Sequence, residues 1–236
     1  MPAVLLAAGV GSRLAPLTDS VPKCLVPVCG KPLLGYWLDM LGEAGVGPII
    51  INTHHHADAV RNYVAASPWR RDVELVHEEE LRGTGGTLLS CRGALSGNRF
   101  LAIHADNLSR FRVGDFLDAH ERRPAGCVMT MMLFRTPDPQ SCGIVETDGR
   151  GVVAAFHEKV AEPPGNLANA AVYVMEADVL DILAASDSPR PDISLDLVPA
   201  CIGRINTWLN SRYHRDIGTP ESYAAASREF PAVMEE

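Results

Sequence analysis

From residue 4 onward, short apolar runs of strand length alternate with segments whose apolar residues recur at helical spacing, and few folds accommodate that alternation. Val4-Leu5-Leu6 is broken by Gly9 and Gly11, the pattern of a buried parallel strand emptying into a glycine-rich loop. Pro16, Pro22 and Pro27 exclude a long helix directly after it. Pro32 suits a first helical turn, and Leu33, Leu34, Trp37, Leu38 and Leu41 mark one apolar helix face that ends near Gly45 and Gly47. Ile49-Ile50-Ile51 follows as a second strand. The spacing then predicts a helix near 57–65, a strand near 73–76, a helix from about 86 to 95 and a strand at 100–104. Strands and helices taking turns imply a parallel, doubly wound sheet.

From Cys127 onward strand-like runs dominate, over 128–134, 143–146, 152–156 and 170–175, with one helix near 177–184. A closing helix near 220–228 follows Thr219, an N-cap candidate with Pro220 at the first helical position. The expected class is α/β, a Rossmann-like doubly wound, mostly parallel mixed sheet with helices on both faces. No repeat or linker interrupts it, so a single domain over 1–236 is expected, with a natural division into 1–125 and 126–236.

The 236 residues are 47% hydrophobic and 21% charged, enough apolar material for one substantial core. A net charge of −8 argues against a general nucleic-acid or anionic-membrane binder. The charge is uneven, because residues 1–32 carry Arg13, Lys23 and Lys31 against Asp19 alone, a local excess of positive charge compatible with a small anion pocket. Six cysteines stand singly, without a CxxC pair, and read as reduced core residues. The chain start has no basic leader, and no stretch is apolar over ~18 residues, so a soluble cytoplasmic protein is expected.

The most informative stretch runs from Leu5 to Thr18 and continues as Pro22-Lys23-Cys24-Leu25-Val26-Pro27. Glycines let backbone N–H groups close on a phosphate, and Arg13 and Lys23 supply cationic donors at its edges. The third glycine of GxGxxG is missing, and no GxxxxGK[ST] occurs, which disfavours dinucleotide binding and a P-loop. A bare GxG is more often a tight turn; the added S-R-L-x-P-L-T and P-K-x-L-V-P make it specific.

With those residues in place, the sequence resembles the nucleotidyltransferases that join a sugar 1-phosphate to a nucleoside triphosphate. Their pattern G-x-G-[ST]-R-L-x-P-x-T-x-x-x-P-K-x-L is matched at every fixed position from Gly9 to Leu25. The similarity continues in order. Glu78-Glu79-Glu80-Leu81-Arg82-Gly83-Thr84-Gly85-Gly86 resembles the family's base-side loop, with Leu81-Arg82 replacing Pro-Leu. His104-Ala105-Asp106-Asn107 looks like G-D-N, and His214-Arg215-Asp216-Ile217-Gly218-Thr219-Pro220-Glu221-Ser222-Tyr223 like D-I-G-T-P-E-x-Y. Between them Cys142-Gly143-Ile144-Val145, Phe156-His157-Glu158-Lys159 and Asn169-Ala170-Ala171-Val172-Tyr173 are similar to Y-G-x-V, F-x-E-K-P and N-A-G-I-Y. Cys142, Val160 and Ala171 depart from the pattern at its sugar end.

The resemblance implies transfer of a nucleotidyl group from a nucleoside triphosphate to a sugar 1-phosphate with release of pyrophosphate, the first half binding nucleotide and the second binding sugar phosphate. It implies Arg13, Lys23, Asp106 and Asp216 as catalytic residues, with Asp106 and Asp216 holding Mg²⁺. Leu6, Ala8, Gly9, Gly11, Ser12, Arg13, Lys23, Glu80, Gly83 and Thr84 would contact the nucleotide. Gly143, Glu158, Lys159 and Asn169 would contact the sugar phosphate. Asp216 lies 110 positions after Asp106, so their convergence is a tertiary expectation that spacing alone does not supply. The acidic triplet and the D-I-G-T-P-E ending look most like members that use GTP with mannose or heptose 1-phosphate. Uridylyl or thymidylyl transfer to a glucose or amino-sugar phosphate, and a silent nucleotide-sugar-binding regulator, stay open as alternatives. The chain is also expected to lack the β-helical domain that some members append.

Composition adds one check. Only 3 of the 21 basic residues are lysine, and two of those are Lys23 and Lys159. A compact ammonium at both phosphate positions is distinct from the arginine used elsewhere. Other constellations read as structural. His54-His55-His56 on an extended segment point to opposite faces and cannot all ligate one ion; solvated histidines in a turn are expected there. Cys24 and Cys29 are expected to pack rather than bind metal. Met129, Met131 and Met132 fit a buried strand.

Overall fold

The computed structural model describes residues 1–234. In chain order, β1 (Ala3–Leu6) leads into the glycine loop, and short 3₁₀ turns occupy Ser12–Leu14 and Lys23–Leu25 among the prolines. A tight hairpin, β2 (Pro27–Val28) and β3 (Lys31–Pro32), precedes α1 (Leu33–Glu43). Then come β4 (Ile49–Thr53), α2 (Ala57–Ala66) and β5 (Val73–His77). The helix expected near 86–95 forms as α3 (Thr84–Ser90) and α4 (Arg92–Leu95), with a break at Cys91. After β6 (Phe100–His104) come β7 (Asn107–Arg110) and α5 (Val113–Glu121), followed by β8 (Met129–Arg135) and β9 (Gly143–Thr147). β10 (Val153–Glu158), β11 (Leu167–Met175), α6 (Val179–Ala184) and α7 (Val198–Ala200) follow, then β12 (Ile205–Leu209), β13 (Tyr213–Asp216) and α8 (Pro220–Met234). The α/β class expected from the alternation is the class that forms. No described helix is long and apolar enough to cross a membrane.

Packing divides the chain into two compact units. The first comprises Met1–Leu81, Ile103–Val113 and the described residues from Arg212 on; the second comprises Arg82–Ala102 and Gly114–Ser211.

In the first unit, β4 lies between β1 and β5 in a parallel ladder that aligns Leu6 with Asn52 and Asn52 with Val76. β1 and β4 are buried along their whole length; β1 reads as an unbroken apolar run, and β4 as the run Ile49–Ile51 closed by buried Asn52 and Thr53. Leu33, Leu34, Trp37, Leu38 and Leu41 of α1 are at most 1% exposed, the face that the periodicity marks. Trp37 Nε1 donates to the Asn107 carbonyl at 2.9 Å and so ties α1 to the start of β7. β7 and β13 pair antiparallel with Asp216 opposite Asn107. At the start of α8, Ser222 N–H donates to Thr219 Oγ1 and Thr219 N–H to Ser222 Oγ, a reciprocal cap.

In the second unit, β8 runs between β11 (antiparallel) and β12 (parallel), while β9 joins β11 to β10. Met129 to Phe134 are all buried, as a strand covered on both faces requires. The β11–β8 register shifts between Asn169 and Tyr173, where Ala171 adopts a left-handed φ of 52°. Beneath the sheet His120 is fully buried, with Nδ1 at 2.8 Å from Thr130 Oγ1 and Nε2 at 3.2 Å from Glu176 Oε1.

Two expectations about isolated residues change. All six cysteines are free, but only four are buried: Cys142 is half-buried, and Cys29 is exposed in the β2–β3 turn, where its φ is 51°. Two of the three histidines of the 54–56 turn are held by protein, His54 Nδ1 by the Glu78 carbonyl at 2.8 Å and His56 Nε2 by the Asp19 carbonyl at 3.2 Å, while His55 is exposed as expected.

Candidate active site

The glycine loop starts where β1 stops. Ala7 and Ala8 are still buried, whereas Gly9, Ser12 and Arg13 are exposed. Gly11 turns the chain with φ 71°, and a Cβ there would sit 3.0 Å from Lys23 Cβ and from Thr18 Cγ2. Its carbonyl accepts the Thr18 hydroxyl at 2.9 Å. The loop therefore folds directly over the stem of Lys23, a path that only glycine takes without strain.

Lys23 is 5% exposed, an unusual place for an ammonium unless it is paired. Its Nζ donates to Asp106 Oδ2 at 2.7 Å and to Asp216 Oδ1 at 3.3 Å. Asp106 stands in the turn between β6 and β7, and Asp216 ends β13, whose pairing with β7 brings it alongside. Three segments far apart in sequence thus meet at one ammonium. Burial alone would depress the Lys23 pKa, but the two carboxylates outweigh it and hold it above the ordinary value. Burial likewise pushes Asp106 up, yet Lys23 and the neighbouring His104 bring it below the usual carboxylate range. His214 is held neutral, its pKa pushed down to about 3 chiefly by burial. Among the described residues, His104 Nε2 is the buried side-chain polar atom without a hydrogen-bond partner.

Two carboxylates aimed at one cationic position make a hard-oxygen donor pair. Among the described residues no group of three or more His, Cys, Asp or Glu side chains could hold a metal ion. Mg²⁺ needs no such cage, since it is commonly held by one or two carboxylates together with waters and substrate phosphates. The donor set of Asp106 and Asp216 fits it.

The acidic triplet is not a uniformly solvated turn. Glu78 is 1% exposed, and its carboxylate accepts from Asn52 Nδ2 at 3.1 Å, whereas Glu79 and Glu80 are exposed. Sequence reasoning missed Asn52; the available signal is a polar residue closing the apolar run Ile49–Ile51.

The second unit holds the other group of expected residues. The N–H groups of Gly85 and Gly86 donate to the Pro191 carbonyl at 2.8 and 3.1 Å, and Thr84 Oγ1 donates to Asp192 Oδ2 at 2.8 Å. A Cβ on Gly143 would lie 2.5 Å from Phe156 Cζ and 2.6 Å from Glu158 Oε2, so the glycine is what lets β9 run beneath that carboxylate. Lys159 takes a left-handed φ of 50°, and its exposed Nζ is 3.4 Å from Glu158 Oε1. Asn169 Nδ2 donates to the Tyr173 hydroxyl at 2.7 Å across the irregularity in β11. Burial raises the Tyr173 pKa well above its ordinary value, which keeps that phenol neutral. Gly143, Glu158 and Lys159 are thus in one neighbourhood of β9 and β10, and Asn169 is on the adjoining β11.

Comparison with known proteins bears on what these groups are for. A mannose-1-phosphate guanylyltransferase of Mycobacterium tuberculosis is 32% identical over 233 residues, covering 97% of this chain and 64% of that protein. Mannose-1-phosphate guanylyltransferase 1 of Arabidopsis thaliana is 27% identical over 236 residues, with the same coverage. The chain therefore spans just under two thirds of the length of these curated relatives. Among solved structures, HddC from Yersinia pseudotuberculosis complexed with GMP-PN superposes with a TM-score of 0.80 at 24% identity, over 97% of this chain and 99% of that one. A UDP-glucose pyrophosphorylase complexed with UDP-glucose gives 0.81 at 21% identity, over 98% of each chain. Those two likenesses establish a shared fold. A sequence model described as nucleotidyl transferase matches residues 2–232, nearly the whole length, and the chain belongs to that family.

Proposed function

We propose that the chain transfers GMP from GTP to a sugar 1-phosphate of mannose or heptose type, forming a nucleotide sugar and pyrophosphate. The observation that carries this reading is the Lys23 ammonium shared by Asp106 and Asp216 beneath the glycine loop. The relatives named mannose-1-phosphate guanylyltransferase support the choice of base and sugar.

An oxygen of the sugar 1-phosphate attacks the α-phosphorus of the triphosphate in line. The new P–O bond forms as the bond to the β-phosphate bridging oxygen breaks, and pyrophosphate leaves with that electron pair. The attacking oxygen is already anionic, so no general base and no covalent intermediate are needed; catalysis is positioning and charge neutralisation. Leu6, Ala8, Gly9, Gly11 and Ser12 offer backbone to the nucleotide, Arg13 and Lys23 hold its phosphates, and Glu80, Gly83 and Thr84 face the base side. Lys159 neutralises the incoming phosphate, while Gly143, Glu158 and Asn169 orient the sugar. Asp106 and Asp216 would hold Mg²⁺, which when bound supplies positive charge against the phosphate oxygens.

The test is pyrophosphate release with Mg²⁺ across GTP, UTP, dTTP, CTP and ATP, each paired with mannose, heptose, glucose, N-acetylglucosamine and N-acetylmuramate 1-phosphates. Release with GTP and mannose or heptose 1-phosphate is expected. Activity confined to UTP or dTTP would replace the base assignment, and nucleotide-sugar binding without release would point to a regulator.

A further inference from the structure

Asn52 is 4% exposed and stands in the parallel ladder opposite Leu6 on one side and Val76 on the other. Its carboxamide reaches past both neighbours. Oδ1 accepts the Ala7 N–H at 2.7 Å, and Nδ2 donates to Glu78 Oε1 at 3.1 Å. Ala7 is the last residue before Ala8 and Gly9, so one end of the amide fixes where the glycine loop departs. Glu78 opens the acidic triplet. Its own backbone is pinned on both sides, N–H to the Thr53 carbonyl at 2.8 Å and carbonyl to His54 Nδ1–H at 2.8 Å. From that anchor Glu79 and Glu80 emerge exposed.

The pairing demands both functions of a primary amide. An aspartate could accept from Ala7 but would set a second carboxylate against Glu78. An apolar residue would serve neither partner and would leave buried polar groups with a desolvation penalty. We propose that Asn52 is a positioning residue that holds the glycine loop and the acidic segment in one register, so that the triphosphate and the base of a nucleotide are met together. This role rests on the reading of the glycine loop and Glu80 as nucleotide contacts.

Calorimetric titration with GTP, UTP and mannose 1-phosphate tests it on the wild type, Asn52→Ala, Asn52→Asp and Met129→Ala, the last a core truncation in the other unit. Asn52→Ala is expected to weaken GTP by about tenfold or more while sugar-phosphate affinity stays within about twofold, the pattern of a lost one-substrate interaction. Asn52→Asp keeps the acceptor for Ala7, so it is expected to narrow the GTP-to-UTP preference more than it weakens binding overall. If Asn52→Ala does not fold, this variant carries the test. Met129→Ala is expected to lower thermal stability and leave the base preference intact, which a merely structural Asn52 would imitate. Wild-type GTP affinity and base preference in the Asn52 variants, or equal losses for nucleotide and sugar phosphate, would overturn the role alone. A wild-type protein that binds no nucleotide would overturn it together with the functional reading.

Discussion

Replacing Lys23 with methionine keeps most of the buried stem and removes the ammonium between Asp106 and Asp216. At 2.7 and 3.3 Å, and with an effective dielectric of about 20, the two attractions are on the order of 6 and 5 kcal/mol before desolvation is subtracted. Removing one member of a buried pair typically costs about 3–5 kcal/mol. Here the Asp106 and Asp216 side chains are 30% and 52% exposed, so water takes over part of the ammonium's work. The expected loss is therefore about 2–3 kcal/mol, measured by urea unfolding with a chelator present at about pH 8.

The pH dependence gives the sharper test. In the wild type the Asp106 pKa is depressed, so its contribution is present above the unfolded carboxylate value and is lost as pH falls through the lower folded value. In Lys23→Met the burial that pushes Asp106 up is opposed only by His104 and a backbone hydrogen bond, so its pKa rises from the wild-type position and protonation relieves part of the destabilised carboxylate as the pH is lowered. The gap between the two proteins should narrow as the pH is lowered from about 8 to about 5. A variant as stable as the wild type, or a deficit independent of pH, would refute the reasoning.

Four further outcomes are expected. Asp106→Ala or Asp216→Ala should each cost several kcal/mol of transition-state stabilisation, on the order expected for lost metal-ion charge compensation, read from kcat/KM; near-normal turnover by both would remove them from the mechanism. Lys159→Ala should raise KM for the sugar 1-phosphate while leaving nucleotide affinity within about twofold, a split that steady-state kinetics resolves. Burial, then Arg123, pushes the pKa of His120 down to about 4 against the opposing pull of Glu176. Stability is therefore full above the unfolded histidine value near 6.5 and falls toward pH 4 by about 2–3 kcal/mol, and His120→Asn should flatten that limb of a pH-resolved melting series. Ala171→Gly should stabilise the fold by about 1 kcal/mol in denaturant unfolding, since it relieves a left-handed alanine.

The parts of the fold legible in the sequence are those where burial dictates residue type along a whole element. β1, β4 and β8 are covered on both faces and read as largely apolar runs, and α1 presents one apolar face. β7 and β13 gave no such signal, because each is four residues long and β13 is Tyr-His-Arg-Asp. Yet that pair is what sets Asp216 beside Asp106. α5 went unread for a related reason: Val113, Phe116 and Leu117 stand at helical spacing and Phe116 is fully buried, but three large apolar residues in one short nine-residue element are a weak signal. The meeting of Lys23 with Asp106 and Asp216 spans separations of 83 and 193 residues, which no local pattern encodes. Glu78 looked like its exposed neighbours because sequence does not reveal that Asn52, on the adjacent strand, supplies it with a buried donor.

Direct transfer is tested most directly by ³¹P NMR of the protein with GTP, mannose 1-phosphate and Mg²⁺. The account predicts that the GTP β-phosphorus triplet and the sugar-phosphate resonance decline together while pyrophosphate and the paired doublets of a nucleotide sugar grow in equal amounts. Consumption of GTP to orthophosphate with the sugar phosphate untouched would contradict it, as would an unchanged spectrum in every nucleotide and sugar-phosphate pairing.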